Sequence, residues 1–172
     1  MWKRTVFVDE KKFNLDGPDQ CKMAWYDEND IGKFQAQSSA PMASIMVFAG
    51  ISFDFRSPIC FVETTMNSID YTSLLTSHFL PFIPPKWGSD WRLLQDNAPL
   101  HRSIATKQYL DDRGVNCLKF PSKSPDLNNI ENLWSLIFGH FFRDEKPKRD
   151  VQELKEAIKD AWSNIPAETI NN

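Results

Sequence analysis

SIMVFAGISF, Ser44 to Phe53, is a nearly continuous apolar run. A strand with one wet face alternates apolar and polar residues; this one does not, so it suits a strand covered on both faces. Ile59 to Thr64 reads as its neighbour across a turn at Arg56 to Pro58. Upstream, Trp2 to Val8 is β-branched and aromatic and reads as a strand closing at Asp9-Glu10. Phe13 to Asp19 carries Asp-Gly-Pro turn chemistry, with Met23 to Tyr26 as a short returning strand.

Downstream, strands alternate with helices. Ser68 to Phe82 has near-helical apolar spacing and is stopped by Pro81, Pro84 and Pro85. Trp91 to Gln95 returns to strand, Ser103 to Asp111 to helix with Gly114 as its stop, and Val115 to Phe120 to strand. From Asn128, residues Ile130, Leu133, Trp134, Ile137, Phe138, Phe141 and Phe142 follow the i, i+3, i+4, i+7 rule of a helix with one buried face. A last helix begins at Asp150, an N-cap with Glu153 three residues on, and stops before Pro166. An antiparallel opening followed by alternation predicts an α/β domain, a mixed sheet with helices on both faces.

At 172 residues the chain suits one domain, residues 1–172, and its 41% hydrophobic and 25% charged content is that of a folded globular protein. Its apolar stretches fall short of the roughly 20 residues of a membrane helix, and MWKRTVFVDE has no signal-peptide pattern, so an intracellular protein without a membrane partner is expected. Cys21, Cys60 and Cys117 lie far apart without CxxC or Cys/His pairing, which points to idle thiols. A net charge of -3 argues mildly against a nucleic-acid partner. Two bound divalent cations would reverse that sign to about +1, at the site itself.

Three acids stand out by position: Asp9 and Asp96 at strand ends, and Glu131 in the first turn of the strongest helix. Side chains from distant segments converge at such termini in sheets with helical crossovers. Three carboxylates would form a hard-oxygen pocket suited to Mg²⁺ or Mn²⁺, and two such ions support in-line displacement at a phosphodiester. Each acid also has a plain structural reading. Asp9 serves as an ordinary strand end, Asp96 as the Asx residue of the Gln-Asp-Asn-Ala-Pro turn, and Glu131 as the N3 member of a capping box on Asn128.

WKRTVFVDEKKFNLDGPD, SIMVFAGIS, LLQDNAPLHRS and FPSKSPDLNNIENLW, in this order, resemble the catalytic domain of Tc/mariner superfamily transposases of the nematode Tc type. Asp96 and Glu131 have 34 residues between them, the interval of the Tc-type DD34E triad. The resemblance implies an RNase H-like fold, a five-stranded mixed sheet flanked by helices, with Asp9, Asp96 and Glu131 as catalytic residues and ligands of two Mg²⁺ or Mn²⁺ ions. It implies hydrolytic cutting at transposon ends, then attack of the freed 3′-hydroxyl on TA-containing target DNA. The implied partner is DNA, bound by a homodimer, and the implied compartment is the nucleus.

Asn97 and His101 match family-like positions where they would touch a metal-bound water or a phosphate; a turn residue and a helix-start residue are the alternatives. Lys119, Lys123, Arg143, Lys146, Lys148 and Arg149 are candidate contacts to the DNA backbone, as is Trp87 in the loop Lys86 to Asp90, whereas Trp134 reads as core. Two departures from the family stand out. Position 129 is Asn where the motif has proline, which loosens the turn carrying Glu131. The helix-turn-helix modules of relatives are absent, so the sequence reads as a catalytic-domain fragment truncated at both ends. An inactive or domesticated fragment serving as a binding module is the competing reading.

Overall fold

The computed structural model describes residues 2–15, 43–62, 65–121, 124–143 and 150–171. Met23 to Tyr26, Cys21 and most of the Asp-Gly-Pro turn lie outside them. The sheet runs β3-β2-β1-β5-β6, with β4 also on β2. Its strands are β1 (Thr5–Asn14), β2 (Ser44–Ser52), β3 (Phe55–Arg56), β4 (Cys60–Val62), β5 (Arg92–Leu94) and β6 (Asn116–Cys117). β2 is antiparallel to β1, whereas β5 is parallel to both β1 and β6, so the sheet is mixed. Helices α1 (Ser68–Leu74), α2 (Pro99–Arg102), α3 (Ile104–Asp112), α4 (Ile130–Arg143), α5 (Val151–Ser163) and α6 (Ala167–Asn171) supply the rest.

The apolar run of β2 is buried on both sides. Ile45, Val47, Ala49 and Ile51 join one core with Ile130, Leu133, Trp134 and Ile137 of α4 and Leu154 and Ile158 of α5. Phe48, with Val6 and Val8 of β1 and Leu93 of β5, joins a second core with Tyr71, Leu74 and Leu110 of α1 and α3. Alternate residues therefore feed different layers, as the period of two requires.

β1 continues through Asp9 and does not close there. The reason lies in its two partners. Parallel β5 covers only Thr5 to Phe7, while antiparallel β2 continues the ladder to the Asn14–Ser44 pair. The hairpin after β2 also turns earlier than the sequence suggests, at Phe53-Asp54, with Asp54 at a φ of 61° in the left-handed region that Asp tolerates better than most residues. After α1 the chain widens into a π-helical stretch, Leu75–Phe79. It packs Phe79 so close to Gly50 that a Cβ there would lie 2.6 Å from the ring, which is why β2 carries glycine at that point.

Two short helices were not expected, α2 and α6. α5 starts at the predicted cap, where Asp150 accepts from the Glu153 N–H at 2.8 Å. Its far end is tied to the sheet by Arg56, whose guanidinium donates to the carbonyls of Trp162 and Ile165 at 2.6 and 3.0 Å. That satisfies carbonyls a helix terminus leaves open. Trp87 is buried, edge-on to Phe55 at 5.7 Å, so it belongs to the core and is withdrawn as a DNA contact. Among the described residues no helix is long and apolar enough to cross a membrane.

Candidate active site

Register brings the first two acids to one place. The last parallel pair between β1 and β5 is Phe7 with Leu94. Asp9 follows that pair by two residues along β1, where positions two apart share a face, and Asp96 stands two residues beyond the end of β5. Phe7 and Leu94 both belong to the core layer of α4, so the chain delivers its two aspartates on the side that α4 covers. Glu131, in the first turn of α4, completes the set. All three line one cavity of about 410 Å³, together with Asn97, Arg102 and Asn128.

Each acid has its own partner. Asp9 Oδ2 accepts from the indole N–H of Trp134 at 2.9 Å. Trp134 is itself fully buried and stacked on Trp162 at 5.5 Å, and Trp162 donates to the Ser57 carbonyl at 3.0 Å. The position of Asp9 is thus braced by α4, α5 and the loop after β3. Burial, and then the nearby negative charges of Glu131 and Glu10, push its carboxyl up to about 7.

Asp96 is in the opposite electrostatic state. His101 Nδ1 stands 2.6 Å from its Oδ1, which also accepts from the Ala98 N–H at 2.8 Å, so the expected Asx turn forms around an acid that lines the cavity as well. The bond to His101 leads the causes holding the Asp96 carboxyl below its ordinary value. Oδ2 receives no hydrogen bond from a described residue.

Glu131 does not form the capping box. Its Oε2 lies 3.2 Å from the Lys11 ammonium, while Asn128 turns its amide to the Val8 carbonyl at 3.2 Å. Tertiary contact therefore replaces the local cap. With Lys11 on Glu131 and His101 on Asp96, the acids line the cavity without closing on a point. Among the described residues no three His, Cys, Asp or Glu side chains stand close enough to hold a metal ion as placed.

The donor set nevertheless fits a divalent cation. It is all oxygen, and Asp9 is held protonated to near neutrality largely because burial and two neighbouring negative charges oppose its ionisation. A cation is the group that would relieve that opposition.

Both auxiliary residues have partners within the protein. Asn97 lines the cavity but donates its amide to the Phe120 carbonyl at 2.7 Å. His101 is 4% exposed, with Nε2 3.3 Å from Glu10 Oε1 and its ring 4.6 Å from that of Tyr71. Both ring nitrogens are committed within the protein. Sequence reading missed three partners, Glu10, Lys11 and Trp134, because no local spacing announces contacts 91 to 125 positions apart. Lys119 is exposed, next to the cavity wall. Lys123, Lys146, Lys148 and Arg149 lie outside the described residues, as does the side chain of Arg143.

Residues 4–155 match the family model of the DDE superfamily endonuclease. The Tc3 transposase of Caenorhabditis elegans is 37% identical over 165 residues, covering 96% of this chain and 50% of that protein. The Tcb2 transposase of Caenorhabditis briggsae is 31% identical over 176 residues, covering 99% and 63%. The chain thus spans about half the length of the first of these relatives and less than two thirds of the second. In fold it superposes on the Mos1 transposase paired-end complex with left transposon end at a TM-score of 0.80 and 19% identity, covering 99% of this chain and 51% of that one. On the crystal structure of the catalytic domain of Mos1 mariner transposase the TM-score is 0.74 at 17% identity, covering 99% and 74%. The fold is RNase H-like, with a small sixth strand beside the five expected. With the match running from the first strand into α5, the chain belongs to the DDE superfamily of endonucleases, and over the stretch it shares with them it is similar to Tc-type transposases.

Proposed function

We propose that this domain cuts DNA at transposon ends and joins the freed 3′-hydroxyls to target DNA through Asp9, Asp96 and Glu131. The observation that carries the reading is the single cavity lined by all three acids, two of them just beyond the last pair of the parallel β1–β5 ladder. In the cutting step a water oxygen bonds to phosphorus, the bond from phosphorus to the 3′-oxygen breaks, and that oxygen leaves as a hydroxyl. In the joining step the 3′-hydroxyl oxygen bonds to a target phosphorus and the target's own 3′-oxygen departs. Only the nucleophile changes, so one pocket serves both.

Asp9, Asp96 and Glu131 would hold Mg²⁺ or Mn²⁺, the ions present in solved Mos1 catalytic-domain structures. When bound, two such ions activate the attacking oxygen and stabilise the leaving one. The chain's own residues set the stage for this. His101 keeps Asp96 ionised and oriented; Trp134 fixes Oδ2 of Asp9; Lys11 pairs with Glu131, the carboxylate that would help to hold an ion. DNA as partner is supported by the relatives, since solved Mos1 structures are a paired-end complex and a strand transfer complex. A homodimer on the DNA and action in the nucleus complete the proposal.

The test is to incubate the chain with DNA and Mn²⁺ or Mg²⁺ and follow nicking and strand joining. Asp96→Ala should abolish both while the protein stays folded. Activity that survives Asp96→Ala removes Asp96 from the reaction.

A further inference from the structure

A second cavity, of about 490 Å³, adjoins the acidic one. The two share Asp96, Asn97, Arg102 and Phe120 in their walls, and the second adds Lys107 and Lys119. Its only acids among the described lining residues are Asp96 and Asp111. Arg102, Lys107 and Lys119 are all exposed, and none pairs with an acid of the described structure. Three cations without an acid partner among the described residues give the wall of this cavity a basic character beside the acidic one.

Arg102 holds the junction, and its backbone is fixed from both sides. The preceding residue, His101, is buried and bound to Asp96 and Glu10. The following residue, Ser103, caps α3 by accepting from the Thr106 N–H at 3.0 Å, and Thr106 Oγ1 donates back to the Leu100 carbonyl at 2.7 Å. The short helix α2 therefore turns one residue inward to position an acid and leaves its neighbour on the cavity wall. Lys107 follows in the first turn and a half of α3, held by its N–H bond to the Ser103 carbonyl at 3.1 Å.

We infer that this second cavity is a track for the phosphodiester backbone of the DNA strand leading away from the acids, with Arg102 at the junction and Lys107 and Lys119 along it. The inference rests on the proposed nuclease function and specifies how its substrate is held. Contacts of this kind position a strand without reading its bases, and they show themselves as a salt-dependent affinity.

The experiment is fluorescence anisotropy of a labelled DNA duplex and single strand, at rising salt, with and without Mn²⁺. Arg102→Ala and Lys107→Ala should each weaken binding several-fold at low salt and lower the slope of log affinity against log salt by about 0.9, with roughly twice that in the double variant. Lys86→Ala, an exposed lysine outside both cavities, should match the wild type. A double variant with wild-type affinity and slope overturns the track while leaving the cutting chemistry standing. A wild-type chain that binds no DNA in either condition removes the nuclease reading and the track with it. The Mn²⁺-induced thermal shift should be unchanged in Lys107→Ala, which lines only the second cavity; its loss would assign Lys107 to the acid site and overturn its role here.

Discussion

Trp134 donates its indole N–H to Asp9 across 2.9 Å, so a residue that fills the core also holds an acid of the site. The bond opposes the protonation that burial favours, but burial wins, and Asp9 is pushed from 3.8 to about 7. Between those values the native chain keeps a proton that the unfolded chain has lost. The metal-free protein should therefore lose stability from Asp9 as pH rises from about 4 to about 7. Asp9→Asn cannot release that proton, so urea unfolding at pH 8 in a chelator should find it more stable than wild type by roughly 1–3 kcal/mol. Parallel pH profiles for the two proteins would contradict the raised value.

His101 behaves in the reverse sense. Burial works against its charged form, but the bonds to Asp96 and Glu10 outweigh it and raise the imidazole from 6.5 to about 9. Its contribution is complete below about 6.5 and is lost as pH climbs through about 9; at the acid end it fades as pH falls through the depressed value of Asp96. His101→Gln should cost roughly 2–4 kcal/mol at pH 6 and markedly less at pH 10, read from denaturant midpoints. An equal loss at both values would mean that the ring is held neutral.

Lys11 stands 3.2 Å from Glu131, where it does the work of a cation. Removing it should leave Glu131 free for a divalent ion and the acids less shielded from one another without one. Lys11→Ala is accordingly expected to melt lower than wild type in chelator and to need several-fold less Mn²⁺ for half its thermal shift. Should the Mn²⁺ dependence stay the same, Glu131 is not a ligand.

Gly50 has no room for a side chain. A Cβ would sit 2.6 Å from Phe79 Cε2 and 3.0 Å from Val8 Cγ1, both in the core between β2 and the π-helical stretch. Gly50→Ala should lower stability by roughly 1–3 kcal/mol through overpacking. Circular-dichroism melts would show it, and a neutral result would mean that the Phe79 ring can step aside.

The sequence by itself determined the layered sheet, because SIMVFAGISF has no polar alternation and so demands cover on both faces. It also determined α4 from its apolar period, the Asp150 cap and the Asx turn at Asp96, all of which depend on residues within a few positions of each other. The extension of β1 past Asp9 was hidden, since Glu10-Lys11-Lys12 reads as polar surface and gives no strand signal. Only the tertiary structure decided what each acid does. Asp9 is raised by burial under α4 and by the charges of Glu131 and Glu10, Asp96 is lowered by the bond from His101, and Glu131 is tied to Lys11 of β1. Charge state depends on what packs against a group, and packing across a sheet is settled by register and crossover, which no short window of residues contains.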